Sequence, residues 1–108
     1  MRRVVCRFDD EADFLRQVKT SRSTGELQFL AEFSLEAGED IRVTTLVSRL
    51  REQCDLRMQV VDSRPLAVDG TGGTRLFRHR ARVAPEDAPW LVMFAKKMTM
   101  LHRVDAAA

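Results

Sequence analysis

Two short stretches decide the fold of this chain: residues 41–47 (IRVTTLV) and residues 54–60 (CDLRMQV). In each of them apolar side chains alternate with polar ones, which is the pattern of a β-strand with one buried face. The same alternation appears earlier in residues 27–33 (LQFLAEF) and later in residues 77–83 (FRHRARV). Four such runs predict a domain built mainly from antiparallel strands.

A short helix is expected near the start of the chain, after a first strand at residues 4–8 (VVCRF). Asp10 can cap this helix, and the acids in its first turn favour the positive end of its dipole. Phe14 and Val18 would share one face, and Lys19 would lie near the C-terminal end. The polar residues 20–25 (TSRSTG) then predict a turn whose last residue, a glycine, permits positive φ.

A second helix is expected to begin in residues 85–90 (PEDAPW), where prolines and acids precede an apolar pattern. One apolar stripe follows at steps of three and four, namely Leu91, Phe94, Met98 and Leu101. A neighbouring stripe consists of Trp90, Met93, Lys97 and Met100. The first stripe predicts packing on the sheet. The second either broadens that core surface or meets a partner or another copy of the chain, and we favour the core-facing interpretation.

Together these elements predict a mainly β fold with α: a small antiparallel barrel or strongly curved sheet, with a short N-terminal helix and a C-terminal capping helix. A chain of 108 residues with 44% hydrophobic content can bury one core without metals or crosslinks. We expect one domain at residues 1–103 and a frayed tail or linker start at residues 104–108. Residues 63–65 (SRP) and 69–73 (DGTGG) should interrupt the strands.

The cellular setting is predicted from the cysteines and from the lack of a long apolar stretch. Cys6 and Cys54 lie far apart and match no metal-ligand spacing, so we expect two buried, reduced thiols and a cytoplasmic protein. No stretch approaches the roughly 20 apolar residues that a membrane span requires. Residues 1–13 carry acids where a signal peptide would be apolar. No membrane insertion and no cofactor are expected.

Catalysis has little support in this sequence. His79 and His102 are its only histidines, and neither has a carboxylate, cysteine or serine at a catalytic spacing. We expect a semi-buried, hydrogen-bonded His79, and a His102 that interacts with the C-terminal dipole of the last helix. No lysine-serine or lysine-threonine pair follows residues 69–73, so a phosphate loop is not indicated. The sequence predicts neither an enzyme nor a metal site.

Arginine supplies most of the positive charge, although the net charge is only +2. Arg78, Arg80 and Arg82 would form a basic stripe on the outer face of one strand, which leaves a small nucleic-acid-binding barrel as an alternative function. An interleaved platform of aromatic residues is lacking, so nucleic acid is the less favoured partner. Arg3 and Arg7 form an Arg-x-x-x-Arg pair, which can bind phosphates through planar guanidinium groups.

Four segments resemble the PilZ family, particularly the delta-proteobacterial variant with a short helix before the first glycine turn. They are residues 11–15 (EADFL), 21–29 (SRSTGELQF), 35–43 (LEAGEDIRV) and 84–94 (APEDAPWLVMF). Their order and spacing cover about residues 8–101. The resemblance implies a PilZ-like barrel and a regulatory module, with motility or polarity control as the usual setting. It also implies cyclic di-GMP as ligand, bound through an Arg-x-x-x-Arg motif and a later Asp/Asn-x-Ser-x-x-Gly motif.

The ligand-binding residues that this resemblance implies are Arg3, Arg7, Ser21, Arg22, Ser23 and Gly25. The second motif departs from the family pattern, because Ser21 replaces Asp or Asn and Glu26 stands where the glycine is expected. A lost buried hydrogen bond costs about 1–3 kcal/mol, so the departure predicts weaker ligand binding. Two interpretations stay open: a module that responds to cyclic di-GMP, and a degenerate one that works through protein contacts, including a homodimer through the C-terminal helix.

Overall fold

The computed structural model describes residues 1–20, 24–66 and 76–107. Within these ranges the chain forms six strands and two α-helices, so the fold is mainly β. The elements in chain order are β1 (Arg2–Phe8), α1 (Glu11–Gln17), β2 (Val18–Thr20), β3 (Gly25–Ala31), β4 (Asp40–Val47), a 3-10 turn (Ser48–Leu50), β5 (Glu52–Pro65), β6 (Phe77–Val83) and α2 (Ala88–Ala107).

All six strands belong to one mixed sheet, in the order β1-β4-β5-β6-β3-β2. Strand β1 pairs in parallel with β4, whereas the other neighbours are antiparallel. Parallel pairing is available here because a long connection separates β1 from β4 in the chain. In the part of the chain that the structure describes, no pairing joins β1 to the β2–β3 side, so the sheet is not closed into a barrel.

The strands bury the face that the alternation predicts. Ile41 and Val43 in β4, and Leu56 and Val60 in β5, are almost fully buried, while their polar neighbours face outward. The residues of the core are Val4, Cys6, Phe8, Phe14, Leu27, Phe29, Leu35, Ile41, Val43, Val47, Leu56, Met58, Val60, Ala81, Val83, Ala88, Leu91, Phe94, Ala95 and Met98. They come from one face of the sheet, from both helices and, in the case of Leu35, from the connection between β3 and β4. Phe33 falls outside this pattern and is exposed, because β3 ends before it.

Helix α1 begins as predicted but ends earlier. The Asp10 side chain accepts a hydrogen bond from the backbone N–H of Asp13, which is the expected cap. The predicted helical positions Val18 and Lys19 lie instead in β2, because their backbone pairs with Leu27 and Glu26 of β3. Pairing with an existing strand thus replaces the last helical turn.

Strand β5 is longer than the sequence predicts. We expected Ser63 and Pro65 to break it, yet both stay paired with β6 after a register irregularity between Val60 and Asp62. Proline is tolerated there because β4 pairs with β5 only as far as Gln59, so at Pro65 the strand has β6 on one side and, within the described ranges, no ladder to β4 on the other. The predicted loop at residues 69–73 lies outside the described residues.

Helix α2 continues through Ala107, beyond the domain end expected at residue 103. It packs against α1 through Phe14, whose ring meets the Phe94 ring edge to face at a centroid distance of 5.2 Å. Neither helix in the described ranges is both long and apolar enough to cross a membrane.

Candidate functional site

A cleft opens between β1 and β3, two strands that are not neighbours in the sheet. Its volume is about 190 Å³. The lining residues are Cys6, Arg7 and Phe8 of β1, Asp13 and Gln17 of α1, Gln28, Phe29 and Leu30 of β3, and Arg78 of β6. Because β4, β5 and β6 separate β1 from β3, the sheet must curl to bring both strands to one cleft.

The charge of this cleft is mainly positive. Arg7 and Arg78 are exposed, and within the described ranges neither makes an ion pair. Among the described residues, Asp13 is the one acid in the lining, and Arg16 lies 3.3 Å from its carboxylate. Ligand pockets usually measure roughly 300–1,000 Å³, so this cleft is small. It has room for a phosphate group or part of a nucleotide, and a larger ligand would extend onto the surface.

Two other predicted site residues, Arg3 and Gly25, lie outside the cleft lining. Arg3 shares the outer face of β1 with Arg7, roughly 13 Å further along the strand at about 3.3 Å per residue. Gly25 lies at the start of β3, before Gln28. The pairings make β1 and β3 run in opposite directions. Arg3 and Gly25 each precede the cleft-lining residues of their own strand, so they lie beyond opposite ends of the cleft. Ser21, Arg22 and Ser23 lie outside the described residues.

Gly25 has a packing role that the sequence did not indicate. A Cβ at this position would lie 2.6 Å from Leu91 Cδ2 and 3.3 Å from Val83 Cγ1. Its φ is not in the left-handed region, so the expectation of a turn glycine with positive φ is wrong. A side chain at this position would have to displace Leu91, because α2 packs directly on β3 here.

Three arginines form a lateral row on the outer face of the sheet. Arg3 pairs in register with Arg42, and Arg42 pairs with Arg57, on strands about 4.8 Å apart. Arg57 Nε lies 3.7 Å from the Asp87 carboxylate, whereas Arg3 and Arg42 make no ion pair among the described residues. Sequence reasoning missed this row because it depends on the register between strands. The only signal was an arginine at an outward position in each run.

The predicted basic stripe is largely neutralised. Arg80 lies 3.3 Å from Asp62, and Arg82 lies 3.3 Å from Glu26. Arg78, the third member, is in register with Arg64 of β5. Two of the three guanidinium groups are therefore held by carboxylates on neighbouring strands, and the stripe is not a continuous cationic surface.

His79 is fully buried, not semi-buried as expected. Its Nε2 donates a hydrogen bond to the Phe33 carbonyl oxygen at 2.9 Å, while its buried Nδ1 has no partner in the described part of the chain. The rings of Phe29, Phe33 and Phe77 lie around it at centroid distances of 5.2–6.2 Å. Burial lowers the pKa of His79, so the imidazole is neutral and acts as a packing residue.

A buried carboxylate joins the two helices. Glu11 accepts hydrogen bonds from both Nε and Nη2 of Arg49, and His102 Nδ1 lies 3.4 Å away. The Arg49 guanidinium is the main reason that the pKa of Glu11 falls to about 2. His102 was expected at the helix C-terminus, but α2 continues beyond it and its ring faces Glu11. This cluster ties α1, the 3-10 turn and α2 together.

The second stripe of α2 is exposed, so the favoured core-facing interpretation is wrong. Trp90 and Met93 are each 59% exposed, Met100 is 67% exposed and Val104 is 66% exposed. A groove of about 330 Å³ lies beside this stripe. Its lining residues are Gln53, Cys54, Trp90, Met93, Phe94 and Lys97. The first stripe alone is enough to cover the sheet, which leaves the second one at the surface.

Two surfaces therefore stand out: the cationic cleft between β1 and β3, and the exposed apolar stripe of α2. No protein-family model and no curated protein matches the chain.

Proposed function

We propose that this chain is a PilZ-like regulatory binding module, without catalytic activity, that binds cyclic di-GMP beside the cleft and acts on a partner protein. In this proposal the curled sheet is an incompletely closed barrel whose seam lies between β1 and β3. The observation that carries the proposal is the position of Arg7. This residue of the Arg-x-x-x-Arg pair lines a cationic cleft and has no ion partner among the described residues.

The chemistry of the cleft suits one phosphate of such a ligand. The Arg7 and Arg78 guanidinium groups can each donate two hydrogen bonds to phosphate oxygens, and charge-assisted bonds of this kind are strong. The rest of the ligand would lie along the outer face of β1 toward Arg3. Because Ser21 puts a shorter hydroxyl in place of the Asp or Asn acceptor, we expect an affinity about tenfold or more below that of a complete motif. The proposal sets the protein in the cytoplasm, in motility or polarity control.

Isothermal calorimetry with cyclic di-GMP and the full chain tests the ligand part. Arg7→Ala and Arg3→Ala should each weaken binding at least about tenfold, since each removes a phosphate contact. Arg51→Ala is the control, because Arg51 is exposed in the turn before β5 and does not line the cleft. No heat at high-micromolar protein would remove cyclic di-GMP from the proposal. An equal loss in Arg51→Ala would show that the binding is only nonspecific charge attraction.

Nucleic-acid binding is the second candidate function, and the row Arg3–Arg42–Arg57 is the observation that favours it. Adjacent guanidinium groups on an exposed face attract phosphates, and such binding weakens steeply with salt. A mobility-shift assay at physiological salt tests it directly. Retardation that Arg42→Ala abolishes would support this function, and no retardation would remove it.

A further inference from the structure

We infer that the exposed face of α2 docks an acidic amphipathic helix of a partner protein. This face, the α2 stripe, consists of Trp90, Met93, Lys97, Met100 and Val104. The inference deepens the protein-contact part of the proposed function and rests on it. It concerns a different surface from the cleft between β1 and β3.

The spacing of the α2 stripe is that of a helix-packing seam. Its members follow one another at steps of three, four, three and four, which is the heptad pattern of paired helices. At about 100° per residue they fall within an arc of roughly 80°. The core-facing stripe with Leu91 and Met98 lies beside this arc, so α2 has one stripe for its own sheet and a second for another helix.

The exposed apolar side chains of the α2 stripe are clustered on one face of the molecule. Four of the large hydrophobic side chains that are exposed in the described part of the chain lie on this one helix face. The groove between Trp90, Met93 and Cys54 gives one apolar side chain of a partner helix a place to insert. Exposed apolar residues clustered on one helix face, with polar residues among and beside them, are typical of an interaction site.

Charge decides which kind of helix fits. Residues 88–104 contain Lys96, Lys97 and Arg103 but no Asp or Glu. Lys97 lies within the stripe, and its Nζ forms an ion pair with Glu52 Oε2 at 2.9 Å. Lys96 and Arg103 flank the stripe on its solvent side, and neither makes an ion pair among the described residues. Acidic side chains beside the seam of the partner would complement these two cations.

A second copy of this chain fits less well than an acidic partner. In a symmetric antiparallel pair, the flanking positions of one helix face the same positions of the other. Lys96 and Arg103 would then face the same two cations of the second copy, and like charges at such positions repel. The occupant is therefore assigned as an acidic helix of another protein.

Two synthetic helical peptides test this assignment. Both carry Leu at the seam positions of each heptad, and the flanking positions are Glu in one peptide and Lys in the other. Trp90 is the only tryptophan in the chain, so its fluorescence reports directly on the stripe. The Glu peptide should shift the emission to shorter wavelength and bind at least roughly tenfold more tightly than the Lys peptide.

Variants of the full chain distinguish specific binding at the α2 stripe from nonspecific apolar binding. Met100→Glu should weaken binding of the Glu peptide, and the double variant Lys96→Glu with Arg103→Glu should reverse the preference between the peptides. Val5→Glu is the matched control, because Val5 is also apolar and 65% exposed but lies on β1. It should bind the Glu peptide like the unchanged chain. Circular dichroism on each variant verifies that it is folded.

Three results would overturn the inference: no emission shift at several hundred micromolar Glu peptide, equal affinity for both peptides, or a dimer in sedimentation that Met100→Glu disperses. The last result would assign the stripe to a second copy of the chain. Calorimetry with cyclic di-GMP on Met100→Glu separates the two surfaces. If the Glu peptide does not bind while cyclic di-GMP still binds, only the docking site is removed. If cyclic di-GMP does not bind while the Glu peptide does, only the ligand part of the proposed function is removed.

Discussion

Gly25 begins β3 at a point where α2 packs directly on the sheet. The space for a side chain is taken by Leu91 and Val83, and Leu91 is itself fully buried and cannot move outward freely. Interiors of proteins are packed about as densely as organic crystals, so one extra methyl group displaces its neighbours and destabilises the fold. Gly25, which the family resemblance implies as a ligand residue, thus has a structural reason to be present that is independent of any ligand.

Gly25→Ala should lower the free energy of unfolding by about 1–3 kcal/mol, because the new methyl overlaps Leu91. Urea unfolding of the single variant, of Leu91→Ala and of the double variant measures the coupling. Leu91→Ala removes the overlapping group, so the cost of Gly25→Ala should largely disappear in that background. An equal cost in both backgrounds would mean that the contact with Leu91 is not the cause.

At the scale of the elements, one ion cluster holds three of them together. Glu11 at the start of α1 is buried, whereas its partner Arg49 in the 3-10 turn keeps a side-chain exposure of 44%. This asymmetry matters because an unpaired buried charge is far more costly than an unpaired exposed one. The cluster is therefore more sensitive to the loss of its exposed cation than to the loss of its buried acid.

Arg49→Met should destabilise the protein by about 1–3 kcal/mol at pH 7, because Glu11 loses its charged partner and stays buried. Glu11→Gln should cost less, because the remaining guanidinium can be hydrated. Urea unfolding of both variants compares them. A larger loss in Glu11→Gln would contradict this order.

The lowered pKa of the Glu11 carboxyl predicts that the stability of the fold depends on pH. The pKa of Glu11 is lowered in the folded chain from 4.5 to about 2, so the unfolded chain takes up the proton first. The stabilisation from Glu11 is therefore fully present above about pH 4.5 and is lost as pH falls through about 2. Between these values the unchanged chain should lose more stability than Glu11→Gln does, which unfolding at pH 5 and pH 3 can measure.

For the molecule as a whole, β1 is an edge strand whose only pairing within the described ranges is with β4, yet it contributes Cys6 to the core. Burial raises the pKa of the Cys6 thiol to about 12, and burial with nearby acids raises that of Cys54 to about 11. Since the thiolate is the reactive form, neither cysteine is activated in the folded chain. Cys6 thus reports on whether β1 stays attached to the sheet.

In a Cys54→Ser variant, a thiol reagent at pH 8 should label Cys6 only through opening of the structure, and mass spectrometry measures the rate. Adding urea below the unfolding transition should accelerate the labelling, because it increases the open population. In the unchanged chain Cys54 should react before Cys6, since it is only half-buried. Labelling of native Cys6 at the rate of an exposed thiol would contradict the described packing of β1.

The sequence by itself determined the features that depend on neighbouring residues. Alternation predicted the buried faces of β4 and β5, Asp10 predicted the start of α1, and steps of three and four predicted the buried stripe of α2. These succeed because side-chain direction repeats with a fixed period along a strand or a helix. The Arg-x-x-x-Arg pair could also be found this way, and Arg7 lines the cleft.

Only the tertiary structure decided which distant residues meet. The parallel pairing of β1, the cleft opposite β3, the row Arg3–Arg42–Arg57 and the Gly25–Leu91 contact all join segments that are far apart in sequence. The register between strands and the fit of a helix onto a sheet follow from packing over the whole core, which no local period specifies. For the same reason the sequence could locate the second stripe of α2 but could not determine that it stays exposed.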